Sequence, residues 1–320
     1  MMKKYLAVDI EIAKDLGALS FQNDPPRNEE VIEVSLIDGW EKGVYREGGV
    51  YLAKSPGTLI LPDITAMWRP IDNNDWKRFR PLGITCAAAV SSDGGLWNWY
   101  AHDVDRRFTD KMSREDCELL VFILLNFIEK GYTLLTWNGL GFDFDVLSEE
   151  SGMYIECKEL ALNHIDMMFH FHCEKGHRLG LDDAAKGMEL PGKPEGMTGA
   201  KAPELWAKGE YHKVLDYVSW DVRNTLDLAQ AVDAVGRLDW TARSGNPNSW
   251  ECSEWLTVKE AMMLVEPDTS WMTDPWPRSK FYEWTGHKPE PILPLPTRQA
   301  HPGDYGAWDD DEDDDKDYLE

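Results

Sequence analysis

Between residues 82 and 137 the apolar pattern switches from strand-like to helical and back, which restricts the fold more than any other stretch. Leu82 to Val90 and Leu96 to Tyr100 read as strands joined by the turn Ser92-Asp93-Gly94-Gly95. Ser113-Arg114-Glu115-Asp116 is a helix-capping sequence, and Leu119, Leu120, Ile123, Leu124, Phe127 and Ile128 follow it at helical spacing until Gly131 stops the pattern. Tyr132 to Trp137 is a further buried strand, closed by the turn Asn138-Gly139. Upstream, residues 4–10 form an apolar strand that ends in acid; downstream come short helices at 181–188 and 203–208 and a longer one over about 211–235. Strand, antiparallel strands, helix, strand and then helices predict an α/β domain with a mixed β-sheet flanked by helices.

The flanks have other textures. From 13 to 75, short β-like runs (Val31 to Ile37, Val50 to Ala53, Thr58 to Leu61) alternate with turn signals, which predicts a β-rich insertion after the first strand. Beyond Leu238 the chain is rich in Trp and Pro and weakly periodic, so loops and short helices packed on the core are expected over 241–308. The expected organisation is a domain over 1–240 that carries the 13–75 insertion, an extension over 241–308, and a disordered acidic tail over 309–320.

A net charge of −25 argues against tight, non-specific coating of long duplexes, because phosphate binding rewards basic patches. Residues 309–320 hold nine acids and one lysine, a net −8, so −17 remains for the other 308 residues. An enzyme that grips a strand end through bound metals stays compatible, since the cations bring positive charge with them. No run approaches the roughly 20 apolar residues of a membrane span, and Asp9 arrives too early for a signal-peptide apolar region. The five cysteines are odd in number and never spaced C-x-x-C, which fits reduced thiols and a cytoplasmic protein.

Three acidic fragments carry the chemistry. Asp9 and Glu11, two apart on a strand, face the same way about 7 Å apart and suit a hard cation, although a solvated strand end is the plainer reading of the pair alone. In Trp137-Asn138-Gly139-Leu140-Gly141-Phe142-Asp143 a strand ends, glycines permit a turn, and Asp143 enters the first turn of a helix, where the dipole favours an acid in any case. Tyr217 and Asp221, four apart in the long helix, stack about 6 Å apart on one face, as an ordinary Tyr–Asp surface pair also would.

Taken together and in order, Asp-x-Glu, Asn-x-x-x-Phe-Asp and Tyr-x-x-x-Asp resemble the DEDD superfamily of 3′–5′ exonucleases. The resemblance is to its tyrosine-containing subgroup, which includes the exonuclease domains of family B DNA polymerases. The segments His164-Ile165-Asp166-Met167-Met168 and Leu179-Gly180-Leu181-Asp182-Asp183-Ala184-Ala185 agree, and the likeness spans residues 4–12 and 80–235. It implies a ribonuclease H-like fold and two Mg²⁺ or Mn²⁺ ions held by Asp9, Glu11, Asp143 and Asp221. Tyr217 would place the attacking water. The implied partner is a nucleic acid with a free 3′ end, most simply single-stranded, and the products are nucleoside 5′-monophosphates. Two metals roughly 3.5–4 Å apart can activate water and stabilise a leaving 3′ oxygen. Asn138 would fix the turn or touch the strand end, and Phe142 fits core packing better than base stacking. Ile12 stands where the family often has Thr or Ser, which puts seating of the terminal nucleotide in doubt. The stretch after the third motif is too short for a polymerase module.

Other readings stay open. The same fold could serve as a catalytically silent binding module, or the same metal pair could cut endonucleolytically. The insertion or the acidic tail could hold a protein partner. His164, His170, His172, Cys173 and His177 match no standard zinc spacing. Trp97 and Trp99 would share one face of their strand, and Arg69, Lys77, Arg78 and Arg80 form the nearest approach to a basic cluster.

Overall fold

The computed structural model describes residues 3–16, 31–36, 39–46, 49–52, 58–60, 68–70, 75–194, 196–242, 245–273 and 275–288. In chain order the strands begin with β1 (Tyr5–Ile12), β2 (Val31–Leu36), β3 (Gly39–Arg46), β4 (Gly49–Leu52), β5 (Thr58–Ile60), β6 (Trp68–Pro70), β7 (Ile84–Ser91) and β8 (Leu96–Tyr100). Then follow helix α1 (Arg114–Glu129), β9 (Thr133–Thr136), α2 (Asp143–Ser151), α3 (Tyr154–Asn163), β10 (Ile165–Asp166), α4 (Met167–Lys175), α5 (Leu181–Gly187), α6 (Ala202–Ala207) and α7 (Tyr211–Val235). The chain continues through β11 (Arg237–Thr241), β12 (Pro247–Glu251), α8 (Val258–Met262) and α9 (Ser279–Tyr282).

The central sheet has the order β10-β9-β1-β7-β8. β1 lies in its middle, antiparallel to β7 and parallel to β9, so the sheet is mixed, as the order of periodicities predicts. The apolar residues of β1, β9 and β10 are buried, edge strand β8 leaves Leu96 exposed, and β7 is buried throughout because four small side chains, Cys86 to Ala89, let neighbouring elements close over it. Helix α7 packs on β1 and β7 on one side. Ser113 caps α1 with a reciprocal Asp116 contact, the capping box expected from sequence, and Leu120, Val121, Leu124 and Phe127 bury the helix. Gly236, left-handed at φ 73°, ends α7.

Strands β2 to β6 make a second, antiparallel sheet of order β5-β4-β3-β2-β6, the β-rich insertion anticipated after the first strand. After α7 the structure adds an element that weak periodicity did not suggest. β11 and β12 pair as a hairpin that runs across residue 240, with Leu238, Trp240 and Trp250 buried. Trp240 and Trp250 pack edge-on against Phe171, so aromatic packing reinforces the short alternation of β11. Residues Met1–His287 form one compact unit. The acidic tail at 309–320 lies outside the described residues. All five cysteines are free and buried. No helix among the described residues is long and apolar enough to cross a membrane.

Candidate metal centre

Asp9 and Glu11 project from the same face of β1, and register decides what lies beside them. Asp9 pairs with Ala88 and Glu11 with Cys86, so only small side chains stand next to the two acids. Asp221 arrives on that face from α7, whose Ser219 also donates to Asn98 Oδ1 at 2.9 Å, and Asn98 pairs with Ala88 in the same row. One carboxylate oxygen each from Asp9, Glu11 and Asp221 lie within 4.8 Å of one another. Glu11 and Asp221 are buried, and Asp9 is half-buried. Oδ1 of Asp221 is buried without a hydrogen-bond partner among the described residues.

Asp143 joins them through a fork in the sheet. β9 pairs with β1 only as far as Ala7 and Leu135, then turns away. Asn138 sits there at φ 76°, in the left-handed region that asparagine tolerates. Buried Asp166 fastens the turn, accepting from the backbone N–H of Asn138 (3.0 Å), Leu140 (2.9 Å) and Phe169 (3.0 Å). Trp284 Nε1 donates to Leu140 O at 2.7 Å from outside the turn, and a Cβ on Gly141 would stand 3.0 Å from the Phe281 ring. Held this way, α2 starts at Asp143, and Asp143 Oδ1 accepts the Ile10 N–H at 3.1 Å, a donor that β9 no longer engages.

Burial is the largest influence on all four acids. It raises Asp9 and Glu11 well above the usual carboxylate range, with repulsion from the other acids adding to it, and pushes Asp143 up to about 7. Asp221 is raised by burial, against the opposing pull of Lys193 and Tyr217. Such a cluster cannot be fully charged on its own, so protons or cations must fill it. All-oxygen donors, with one buried oxygen left unpartnered, fit a hard divalent cation such as Mg²⁺ or Mn²⁺.

A model described as the RNase_H superfamily matches residues 95–232. The fold is ribonuclease H-like. The matched range carries Asn138, Asp143, Tyr217 and Asp221, while Asp9 and Glu11 precede it. Ribonuclease H-like proteins are generally nucleases and typically use divalent metals. No curated protein matches the chain. Among solved structures, the family B DNA polymerase from the hyperthermophilic archaeon Pyrobaculum calidifontis is similar at 16% identity and a TM-score of 0.41. The alignment covers 72% of this chain and 25% of that one, so this chain spans about a quarter of the polymerase's length.

The remaining candidates are distributed around a cleft of about 700 Å³ that contains all four acids. Ile12, Asn138 and Phe142 line it; Phe142 is half-buried and meets Trp76 edge-on with centroids 5.0 Å apart. Tyr217 lines it too, its hydroxyl 3.0 Å from Lys193 Nζ. Three cations in the lining, Lys14, Arg178 and Lys193, escape sequence reasoning because no motif or charge run marks them. None of the three forms an ion pair with a carboxylate among the described residues.

The anticipated basic cluster behaves differently. Lys77 pairs with Glu283 at 2.9 Å and Arg80 with Asp145 at 2.5 Å, so both serve internal ion pairs. The side chains of Arg69 and Arg78 lie outside the described residues. His164 is buried between Thr136 Oγ1 and Ala161 O, both at 2.8 Å, and burial depresses His164, His170 and His172 to about 4, so they are neutral core groups. Trp97 and Trp99 line a separate groove of about 720 Å³ by the β7–β8 turn, whose Ser92 N–H bonds Tyr5 O at the start of β1.

Proposed function

We propose that the chain is a metal-dependent 3′–5′ exonuclease of the tyrosine-containing DEDD type, acting on single-stranded DNA or RNA. The observation that carries this reading is the convergence of Asp9, Glu11 and Asp221 within 4.8 Å, with Asp143 tied to the backbone between the first two. Residues this distant in sequence, buried together at a cost in desolvation and repulsion, make sense as a cation site.

Asp9, Glu11, Asp143 and Asp221 would hold two divalent ions, Mg²⁺ or Mn²⁺, which when bound supply charge for activating water and for stabilising the leaving 3′ oxygen. Tyr217 stands beside Asp221 and receives a hydrogen bond from Lys193, so its hydroxyl proton is directed toward the acids. In that orientation the phenol can hold a water at the acid cluster. The three cleft cations without carboxylate partners suit an anionic strand, in a chain whose net charge is −25. The 3′ polarity rests on the resemblance of the three motifs.

Incubation with 5′-labelled DNA and RNA oligomers in Mg²⁺ or Mn²⁺ tests the proposal. A ladder shortening from the 3′ end is expected, abolished by EDTA, by a blocked 3′ terminus and by Asp9→Ala. Cutting of a circular single strand, or full activity in Asp9→Ala and Asp221→Ala, contradicts it.

A further inference from the structure

Of the three cations lining the cleft, two have their ammonium groups engaged. Lys14 donates to Phe79 O (2.5 Å) and Pro81 O (3.1 Å), and Lys193 donates to Tyr217. The third, Arg178, is exposed, and its guanidinium makes no hydrogen bond or ion pair with any described residue. Instead it lies over the indole of Trp276, with Cζ 5.0 Å from the ring centroid. The backbone beneath it is fixed, because Trp137 Nε1, at the end of β9, donates to Leu179 O at 3.1 Å. An unpaired arginine is notable where the chain carries 58 acids against 33 lysines and arginines.

We infer that Arg178, held on the face of Trp276, anchors a phosphate of the nucleic-acid strand as it enters the cleft. The inference rests on the nuclease reading above. A guanidinium against an aromatic face keeps its plane oriented while its N–H edges stay free, the arrangement suited to a bidentate phosphate contact. The four acids mark where a scissile phosphate would be processed, so Arg178, on the loop between α4 and α5, serves a phosphate further along the strand. The ligand class is therefore an extended single strand several nucleotides long. Trp276 touches no substrate in this account. It acts through Arg178 as a positioning residue, supplied by the segment before α9.

The test uses the full-length protein, a 3′-ended fluorescent oligothymidylate bound in Ca²⁺, and hydrolysis in Mn²⁺ of that strand and of the p-nitrophenyl ester of thymidine 5′-monophosphate. Arg178→Ala is expected to raise the oligonucleotide Kd and KM about tenfold and to flatten the dependence of log K on log salt by about 0.7. Its loss of kcat/KM should be about tenfold greater on the strand than on the ester, which presents no second phosphate. Arg178→Lys should restore the salt slope but only part of the affinity. Trp276→Ala should raise KM by a smaller factor with kcat held, and Trp276→Phe should recover most of that loss. Unchanged Kd and salt slope in Arg178→Ala, or equal losses on strand and ester, overturns the anchor; wild-type KM in Trp276→Ala overturns the positioning role. If the wild type cleaves neither substrate, the nuclease reading fails, and the salt slope of binding still decides Arg178.

Discussion

The acids of the cleft come mainly from regular elements, Asp9 and Glu11 from β1 and Asp221 from α7, whereas its cations come from loops. Lys14 follows β1, Arg178 stands between α4 and α5, and Lys193 between α5 and α6. The acids are packed against one another, and burial forces their proton affinities up. The cations stand at the rim and lack carboxylate partners among the described residues. A floor that must hold several like charges needs backbone that cannot relax away from them, and a strand and a long helix provide it. On the proposed function, the rim would meet a flexible strand and has no such need. Asp143 falls between the two, a helix-start acid whose place depends on the turn before it.

If the floor is a cation site under strain, neutralising one acid should separate activity from stability. Asp9→Asn or Asp221→Asn is expected to lower the hydrolysis rate at least about a thousandfold, while raising the Tm of the metal-free protein because repulsion falls. Initial rates and thermal scans in EDTA check both arms, and a fall in both would remove the distinction between floor and rim. A rim cation in contact with the floor should cost less. Lys193→Ala is expected to reduce kcat by about 10- to 100-fold, since Tyr217 loses its donor and Glu11 and Asp221 lose a nearby positive charge.

Proton linkage sharpens the comparison further. Asp143 is raised from an ordinary 3.8 to about 7, so its protonated form favours folding at low pH. That contribution is lost as pH climbs through this window in metal-free protein. Divalent ions replace the protons, so the Tm gain on adding Mg²⁺ or Mn²⁺ should be larger at pH 8 than at pH 6. Thermal scans with and without EDTA at the two pH values read it. The smallest effect concerns the support of the turn. Trp284→Phe removes the donor to Leu140 O and should cost about 1 kcal/mol, with a few-fold weaker metal response and little change in KM.

The same contrast explains what the sequence makes legible. Asp9, Glu11, Tyr217 and Asp221 sit where period-two and period-3.6 patterns fix their facing, so spacing alone places each pair on one side of its element. Asp143 is readable because Asn138 and the glycines announce the turn ahead of it. Asp166 is named only through resemblance; that its carboxylate would collect three N–H groups from two segments depends on the parallel approach of β10 and β9, which no local pattern encodes. Lys193 and Arg178 escape for the same reason, since one lies in a Pro-Gly stretch and the other needs Trp276, almost a hundred residues later, to orient it. The β11–β12 hairpin is hidden because the alternation of β11, with Leu238 and Trp240 inward, lasts only five residues, and β12 answers it with Trp250 alone, seated against Phe171 of α4.

The run Cys86-Ala87-Ala88-Ala89 is, read as text, the least informative part of the chain. Two of its members stand directly across from Asp9 and Glu11, on the side where α7 delivers Asp221. Their smallness is what keeps room open among the acids, as a mortise is defined by the wood removed. A saturation scan is therefore expected to find Ala88 and Cys86 nearly as intolerant as the acids: Ala88→Val would crowd the core by about 1–3 kcal/mol and also fill space that the proposed ions would need. The site is shaped by absence of bulk as well as by charge, and a search for functional residues by chemistry alone would pass over Cys86 and Ala88.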